Sequence, residues 1–211
     1  MTRFASLIFC AILGAGLAAC GGDNDGASPK SAIDVAPVDN TVSGWTIDRA
    51  HNKNADGSPM TGATKEGAEG LIDGAANPFY LAPYTPKLFV WQVYLNTTLP
   101  AAPDGASVNL YILEMPSAEQ ASGLYTSLLQ YSEYARKSGT PDDWKPTSPP
   151  LGTESRIQDT TSQWWINFHQ DVFYVEVSLD PSTGPAPDYT PSDPDLKQEA
   201  VRFAQAVAGR I

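Results

Sequence analysis

The sequence is poor in the residues that supply covalent cross-links, nucleophilic catalysis and positive charge. Its 211 residues include two cysteines and two histidines, and 13 lysines and arginines stand against 24 aspartates and glutamates. Both cysteines, Cys10 and Cys20, lie near the N-terminus, so the rest of the chain has no thiol for a disulfide, a nucleophile or a metal site. The net charge of −11 argues against nucleic acid as a partner, because phosphate binding depends on clustered Lys and Arg.

The N-terminus has the layout of a secretory signal. Arg3 precedes an apolar stretch at residues 4–13, and small residues follow as far as Ala19 and Cys20. This order of parts is typical of a signal peptide, and the apolar stretch is shorter than the roughly 18–20 residues that a spanning helix needs. No later apolar run approaches that length. We therefore predict a cleaved signal peptide at residues 1–19 and a protein that does not span the membrane.

The residues at the predicted cleavage site, Leu17–Cys20, resemble the lipobox of bacterial lipoproteins. The resemblance implies cleavage between Ala19 and Cys20, a diacylglycerol thioether on Cys20 and an N-acyl chain such as palmitate. Each buried methylene contributes about 0.8 kcal/mol, so these chains would attach the protein firmly to a membrane. Because Gly21 follows the cysteine where an aspartate would signal inner-membrane retention, the outer membrane is favoured if the cell has one. The alternative is a plain secretory signal with a fortuitous cysteine.

The remainder divides into a tether and one domain. Residues 20–43 are small, polar and without periodicity, which predicts a lipidated, flexible tether. Residues 44–211 have the length of one ordinary globular domain. Within it, residues 51–60 are polar and rich in Gly and Asn, which predicts a loop.

Strand and helix patterns in residues 44–211 predict an α+β fold. β-Branched and aromatic runs favour strands, and apolar residues spaced by three and four favour helices. Strands are expected near residues 44–47, 87–95, 107–115, 155–158, 162–169 and 172–179, and helices near residues 64–76, 117–139 and 193–211. Consecutive hairpins predict an antiparallel sheet with about three helices packed on one face.

Two short motifs give this domain a resemblance to an uncharacterised prokaryotic domain family. Leu71–Ala76 is similar to the family's Ile-Asn/Asp-Gly-Ala helix motif, and a strand running into a helix follows at residues 108–123. The likeness covers roughly residues 44–211. It implies the same α+β fold and carries no catalytic residue over to this chain.

The usual signatures of catalysis and of metal or cofactor binding are missing. The domain contains no Gly-x-Ser-x-Gly, Walker, dinucleotide-binding or His-Glu-x-x-His motif. His51 lies in the predicted loop, and His169 is expected to be an exposed residue at the end of a hairpin strand. The acidic loops, at residues 142–143 and 180–195, lack the alternate spacing of a calcium loop, so no metal and no cofactor are expected.

Aromatic residues give the one candidate binding surface. Strict alternation places Trp165, Asn167 and His169 together on the sheet face away from the predicted core. A solvent-facing Trp beside Asn could stack on a sugar or dock a protein. The alternative is that helices cover this face and bury Trp165 in an ordinary core.

Three functions are compatible with these features. The first is a lipid-anchored, non-catalytic module of the bacterial cell envelope that binds an envelope protein or polymer. The second is a small-ligand-binding lipoprotein, which needs a pocket. The third is an envelope hydrolase that uses a carboxylate pair, for which Glu69 and Asp73 are the motivated residues, four positions apart on a predicted helix.

Overall fold

Eight strands form one antiparallel sheet in the computed structural model, which describes residues 30–72, 84–99, 105–128, 144–159, 164–181 and 194–211. The strands are β1 (Thr46–Ile47), β2 (Met60–Gly62), β3 (Leu88–Asn96), β4 (Ala106–Glu114), β5 (Lys145–Pro146), β6 (Glu154–Asp159), β7 (Trp164–Gln170) and β8 (Phe173–Asp180). The helices in these residues are α1 (Ala32–Val35), α2 (Lys65–Ile72), α3 (Ala118–Leu128) and α4 (Pro194–Ala208). The strand order is β1-β3-β4-β8-β7-β6-β5, and β2 also pairs with β3. The predicted α+β class with an antiparallel sheet is confirmed.

None of the helices in the described residues is long and apolar enough to span a bilayer.

The helices cover both faces of this sheet. On β8, Phe173, Val175 and Val177 point into a large apolar cluster that α1 and α4 complete. The intervening Tyr174 belongs to a smaller cluster with α2 and α3. The prediction that the helices pack on one face therefore does not hold. The apolar stripe of a helix indicates which side of the helix is buried, but it carries no information about which face of the sheet lies beneath it.

The large cluster is built as the apolar spacing predicts. The buried stripe of α4 consists of Leu196, Ala200, Phe203, Ala204 and Val207. From β7 the inward-facing residues are Trp164, Ile166 and Phe168. Edge-on aromatic contacts join the layers, since the ring centroid of Phe203 lies 5.5 Å from that of Trp45 and 5.0 Å from that of Tyr94. These contacts attach α4 to the sheet and to the chain that leads into β1.

Residues 30–43, which we call the strap, pack against this cluster. Val35 and Val42 are buried in it. The Arg210 guanidinium, just beyond α4, donates hydrogen bonds to the carbonyl oxygens of Asp34 (2.7 Å) and Val35 (2.9 Å). The prediction of a flexible tether up to residue 43 therefore does not hold for residues 30–43. The apolar residues that bind this segment to the cluster are isolated and follow no periodicity. They therefore give no pattern from which its packing could be predicted.

The polar side of α4 fixes the end of the strap. The Trp45 indole Nε1 donates to Glu199 Oε1 at 2.5 Å. Arg202 Nε donates to Glu199 Oε2 at 2.8 Å, and Arg202 Nη2 donates to the Ser43 carbonyl oxygen at 2.8 Å. One ion pair on α4 therefore binds both the strap and the first residues of the domain.

The strap's contribution to stability can be measured with two valines three residues apart. Val35 is 0% exposed and Val38 is 63% exposed. We expect Val35→Ala to lower the free energy of unfolding by about 1–2 kcal/mol, because it removes two buried methyl groups and leaves a cavity. Val38→Ala should change it by less than about 0.5 kcal/mol. Urea unfolding of both variants tests this, and equal effects at the two positions would contradict a packed strap.

Candidate functional site

The sheet face beneath α3 carries a row of buried polar side chains. Strand pairing places Arg156 on β6 opposite Asn167 on β7, and Asn167 opposite Glu176 on β8. The exposed fractions of these three residues are 5%, 0% and 0%. Burying polar groups costs free energy unless hydrogen bonds replace those with water, so a polar row under a helix must find its partners inside.

The three residues predicted to share a face do so, but the face is covered. The register places Trp165, Asn167 and His169 on the α3 side of β7. Asn167 and His169 are buried and Trp165 is half-buried. The expectation that His169 is exposed is wrong, because α3 lies over it and the Tyr125 ring centroid is 5.1 Å from that of the imidazole. Of the two interpretations of this face, the structure favours the covered one.

Part of the polar face is satisfied by internal hydrogen bonds. Asn167 Nδ2 donates to the Tyr174 hydroxyl at 2.7 Å, and that hydroxyl donates to Glu176 Oε2 at 3.4 Å. Further along the face the rings of Trp91 and Tyr111 stack, with their centroids 6.2 Å apart. Burial raises the pKa of the Tyr111 phenol, and the Glu176 carboxylate raises it further. Side chains at this end therefore stabilise one another.

At the other end of the row, the guanidinium of Arg156 is held by aromatic rings. Its central carbon lies 4.1 Å from the Tyr125 ring centroid and 5.2 Å from that of Trp144. Its Nε and Nη2 atoms are shielded from solvent and have no hydrogen-bond partner among the described residues. In the same part of the chain, Gln158 Oε1 and His169 Nε2, which lie on this face too, also have none.

The energetics of Arg156 are unfavourable without a further partner. Contacts of a cation with aromatic rings contribute about 0.5–2 kcal/mol. Burying an ion without a counter-charge costs several kcal/mol. The aromatic contacts position the guanidinium but do not offset its burial, so a hydrogen-bond acceptor from outside the described residues is expected to complete it.

A groove of about 320 Å³ opens beside this arginine. The aromatic part of its wall comes from Tyr125 of α3 and from Trp144, which precedes β5. Its charged lining residues are Lys145, Glu154 and Arg156. Arg156 therefore belongs both to the groove and to the buried polar row. This volume lies at the lower end of the range of small-ligand sites.

The imidazole of His169, close to this arginine, is neutral. Burial lowers the pKa of His169; Glu154 opposes this shift, and Arg156 adds to it. The ordinary pKa of histidine is about 6.5, so His169 carries no charge at neutral pH. It offers a hydrogen-bonding nitrogen and adds no positive charge to the site.

The second histidine belongs to a turn. His51 Nδ1 contacts Asp48 Oδ2, and Asp48 Oδ1 also accepts hydrogen bonds from the backbone N–H groups of Ala50 (3.0 Å) and His51 (3.2 Å). Among the residues that the structure describes, no hydroxyl or thiol is hydrogen-bonded to the His51 ring. The pair caps the turn after β1 and does not form a nucleophile–base arrangement.

A second crevice, of about 500 Å³, runs along the outer side of α4. Its arginine, Arg202, is already bound to Glu199 and to the Ser43 carbonyl. Among the described residues that line this crevice, no buried arginine lacks an acceptor, and the groove at Arg156 is the stronger candidate.

Several candidates from the sequence lie wholly or partly outside the described residues. Glu69 lies in α2, whereas Asp73, its proposed partner, is outside the described residues. The acidic pair at residues 142–143 is also outside them. Within the described ranges, no group of three or more His, Cys, Asp or Glu side chains is placed to hold a metal ion.

The sequence analysis missed Arg156, Tyr125 and Trp144 as site residues. A signal was available for the arginine, because Arg156 and Gln158 flank Ile157 in a predicted strand. Alternation alone would have placed both on the face opposite Ile157. Nothing in the sequence shows that a ring from α3 and a ring from a proline-rich stretch meet at that arginine.

Comparison with known proteins finds no relative: no protein-family model matches the chain, and no curated protein or solved structure is detectably similar to it. The resemblances to the lipobox and to the uncharacterised domain family stay predictions.

The sign of one stability change distinguishes a ligand-binding arginine from a structural one. Arg156→Met removes the unpaired buried charge and keeps a side chain of similar length, so we expect the free energy of unfolding to rise by about 1 kcal/mol or more. For a chain of this length that corresponds to an increase in Tm of roughly 2–4 °C. The matched control, Arg202→Met, breaks the ion pair with Glu199 and should lower the Tm. Thermal unfolding measures both, and a fall in Tm for Arg156→Met would identify Arg156 as a structural residue.

Proposed function

We propose that this chain is a lipid-anchored, non-catalytic binding protein of a bacterial cell envelope and that the groove beside Arg156 is its ligand site. One observation carries the proposal of a binding site. A buried guanidinium, with two nitrogens that lack acceptors in the described residues, forms part of the wall of an open groove. A buried donor without an acceptor reduces stability, and a ligand that supplies the acceptor restores it.

The size of the groove favours a small molecule or the end group of a polymer. Stable protein–protein interfaces usually bury more than about 1,000 Å² of total surface. A groove of about 320 Å³ encloses a ligand of few atoms, with flat walls from Tyr125 and Trp144. Of the functions compatible with the sequence, small-ligand binding therefore gains the most support.

The proposed anchor rests on the N-terminal sequence. Leu17–Cys20 resembles a lipobox, and acylation of Cys20 would attach the chain to the membrane, with the outer membrane favoured. Nine residues lie between Cys20 and Lys30, the first residue of the strap. Even fully extended, at roughly 3.5 Å per residue, a segment of that length would keep the domain close to the bilayer.

The anchor can be tested with the two cysteines of the chain. We expect full-length protein made in its own cells to partition into the detergent phase after Triton X-114 extraction, because acyl chains carry it there. Cys20→Ser removes the acylated sulfur and should move the protein to the aqueous phase. Cys10→Ser, inside the predicted signal peptide, should leave the partitioning unchanged. Aqueous wild-type protein would exclude the anchor and leave the ligand site untouched.

The ligand site can be tested in the same cells by photocrosslinking from two exposed positions. Thr126 on α3 lines the groove, and Gln205 lies on the outer side of α4. A photoreactive amino acid at position 126 is expected to yield adducts of defined mass by mass spectrometry. Combining it with Arg156→Gln should reduce the yield at least tenfold, because the buried donor is lost. Adducts from position 205 alone would indicate that the ligand binds in the α4 crevice. The absence of adducts from position 126 would refute the proposed site.

A further inference from the structure

We infer that the group recognised in this groove is a singly charged carboxylate, held by the paired N–H donors of Arg156 Nε and Nη2. The inference rests on the proposed function and adds the chemical class of the ligand. It follows from the identity of the two nitrogens, the overall charge of the protein and the way in which the guanidinium is held.

The two nitrogens without acceptors are the pair that forms a fork. In a planar guanidinium, the N–H groups of Nε and Nη2 point in parallel from one edge, and their spacing matches the two oxygens of a carboxylate. In Arg156 these two atoms lack partners in the described residues. A carboxylate offers one oxygen to each donor and adds the negative charge that a hydroxyl or amide oxygen lacks. Two oxygens on one planar group satisfy both.

The overall charge of the protein favours a single negative charge on the ligand. Among the described residues that line the groove, Lys145 and Arg156 are basic and Glu154 is acidic. The chain as a whole carries a net charge of −11. A strongly acidic protein repels a dianion more than a monoanion, so a carboxylate is favoured over a phosphate monoester.

The guanidinium is oriented by rings and is not tied by hydrogen bonds. Tyr125 and Trp144 hold it at 4.1 Å and 5.2 Å, and both rings also line the groove. No hydrogen bond from Nε or Nη2 to a described residue competes with an incoming carboxylate. The rings then provide apolar walls for the body of the ligand. An aromatic acid is therefore a suitable probe.

The test uses benzoate, its neutral analogue benzamide and inorganic phosphate with the full-length protein in detergent micelles. The readout is the side-chain Nε–H NMR signal of Arg156, identified by its loss in Arg156→Lys. Benzoate is expected to shift this signal with a Kd in the millimolar range, and benzamide and phosphate should bind at least tenfold more weakly. In Arg156→Lys, which keeps the charge and loses the fork, benzoate binding followed by calorimetry should weaken at least tenfold. Arg49→Lys, at an exposed ion pair with Asp39, is the matched control and should bind as the wild type does.

Each other outcome overturns a defined part of the inference. Equal binding of benzamide would show that the walls, and not the arginine, recognise the probe. Tighter binding of phosphate would show that the site prefers another anion to a carboxylate. Unchanged benzoate binding in Arg156→Lys would show that the paired Nε and Nη2 donors are not needed. No shift by benzoate, together with adducts from position 126 in cells, would refute the carboxylate and leave the binding site in place. Failure of both experiments would refute the site itself.

Discussion

The burial of the sheet on both faces is the constraint on which the rest of the structure depends. Seven of the eight residues of β8 are buried, from Phe173 to Leu179. Residues of this strand that point to α4 are apolar and need nothing more than packing. Those that point to the α3 side include Tyr174, Glu176 and Ser178, so the same burial forces polar atoms into an interior. The two faces of one sheet therefore have different chemistry, and the groove at Arg156 lies on the second face.

The groove lies where α3 meets the β6 side of that face. α3 packs on β7 and β8, in the middle of the sheet. Beyond β7 lies β6, and beyond β6 the two-residue β5 is the last strand in the order. At the Arg156 end of the polar row, Tyr125 of α3 and Trp144 pack against the guanidinium, and both rings also line the groove. One residue of the helix and one residue just before the edge strand therefore form its aromatic wall.

The alternation of side chains predicts which residues of a strand share a face. It does not predict which face a helix covers, because that depends on tertiary packing. The grouping of Trp165, Asn167 and His169 follows from a side-chain period of two, which the backbone imposes on any strand. Whether that group meets water depends on where α3 packs, and the stripe of α3 is compatible with either face of the sheet. The strap illustrates the same limit, since Val35 and Val42 are buried by contacts with residues far away in the sequence. The contact of Arg156 with two rings brings together three separate segments of the chain. The sequence therefore predicts the face on which Arg156 lies, but not the rings that surround it.

The protonation states of Arg156, Tyr125 and His169 determine where charge resides at this site. An arginine side chain does not lose its proton in proteins, so Arg156 can donate hydrogen bonds but cannot act as a base. Burial raises the pKa of the Tyr125 hydroxyl, with Arg156 opposing and Glu154 adding to the shift, so the phenol stays protonated at neutral pH. Burial lowers the pKa of His169 and keeps it neutral. Of these three groups Arg156 is therefore the one that carries charge, and its guanidinium packs against the rings of Tyr125 and Trp144. Because these rings hold it in position, little conformational freedom is lost when it binds an anion.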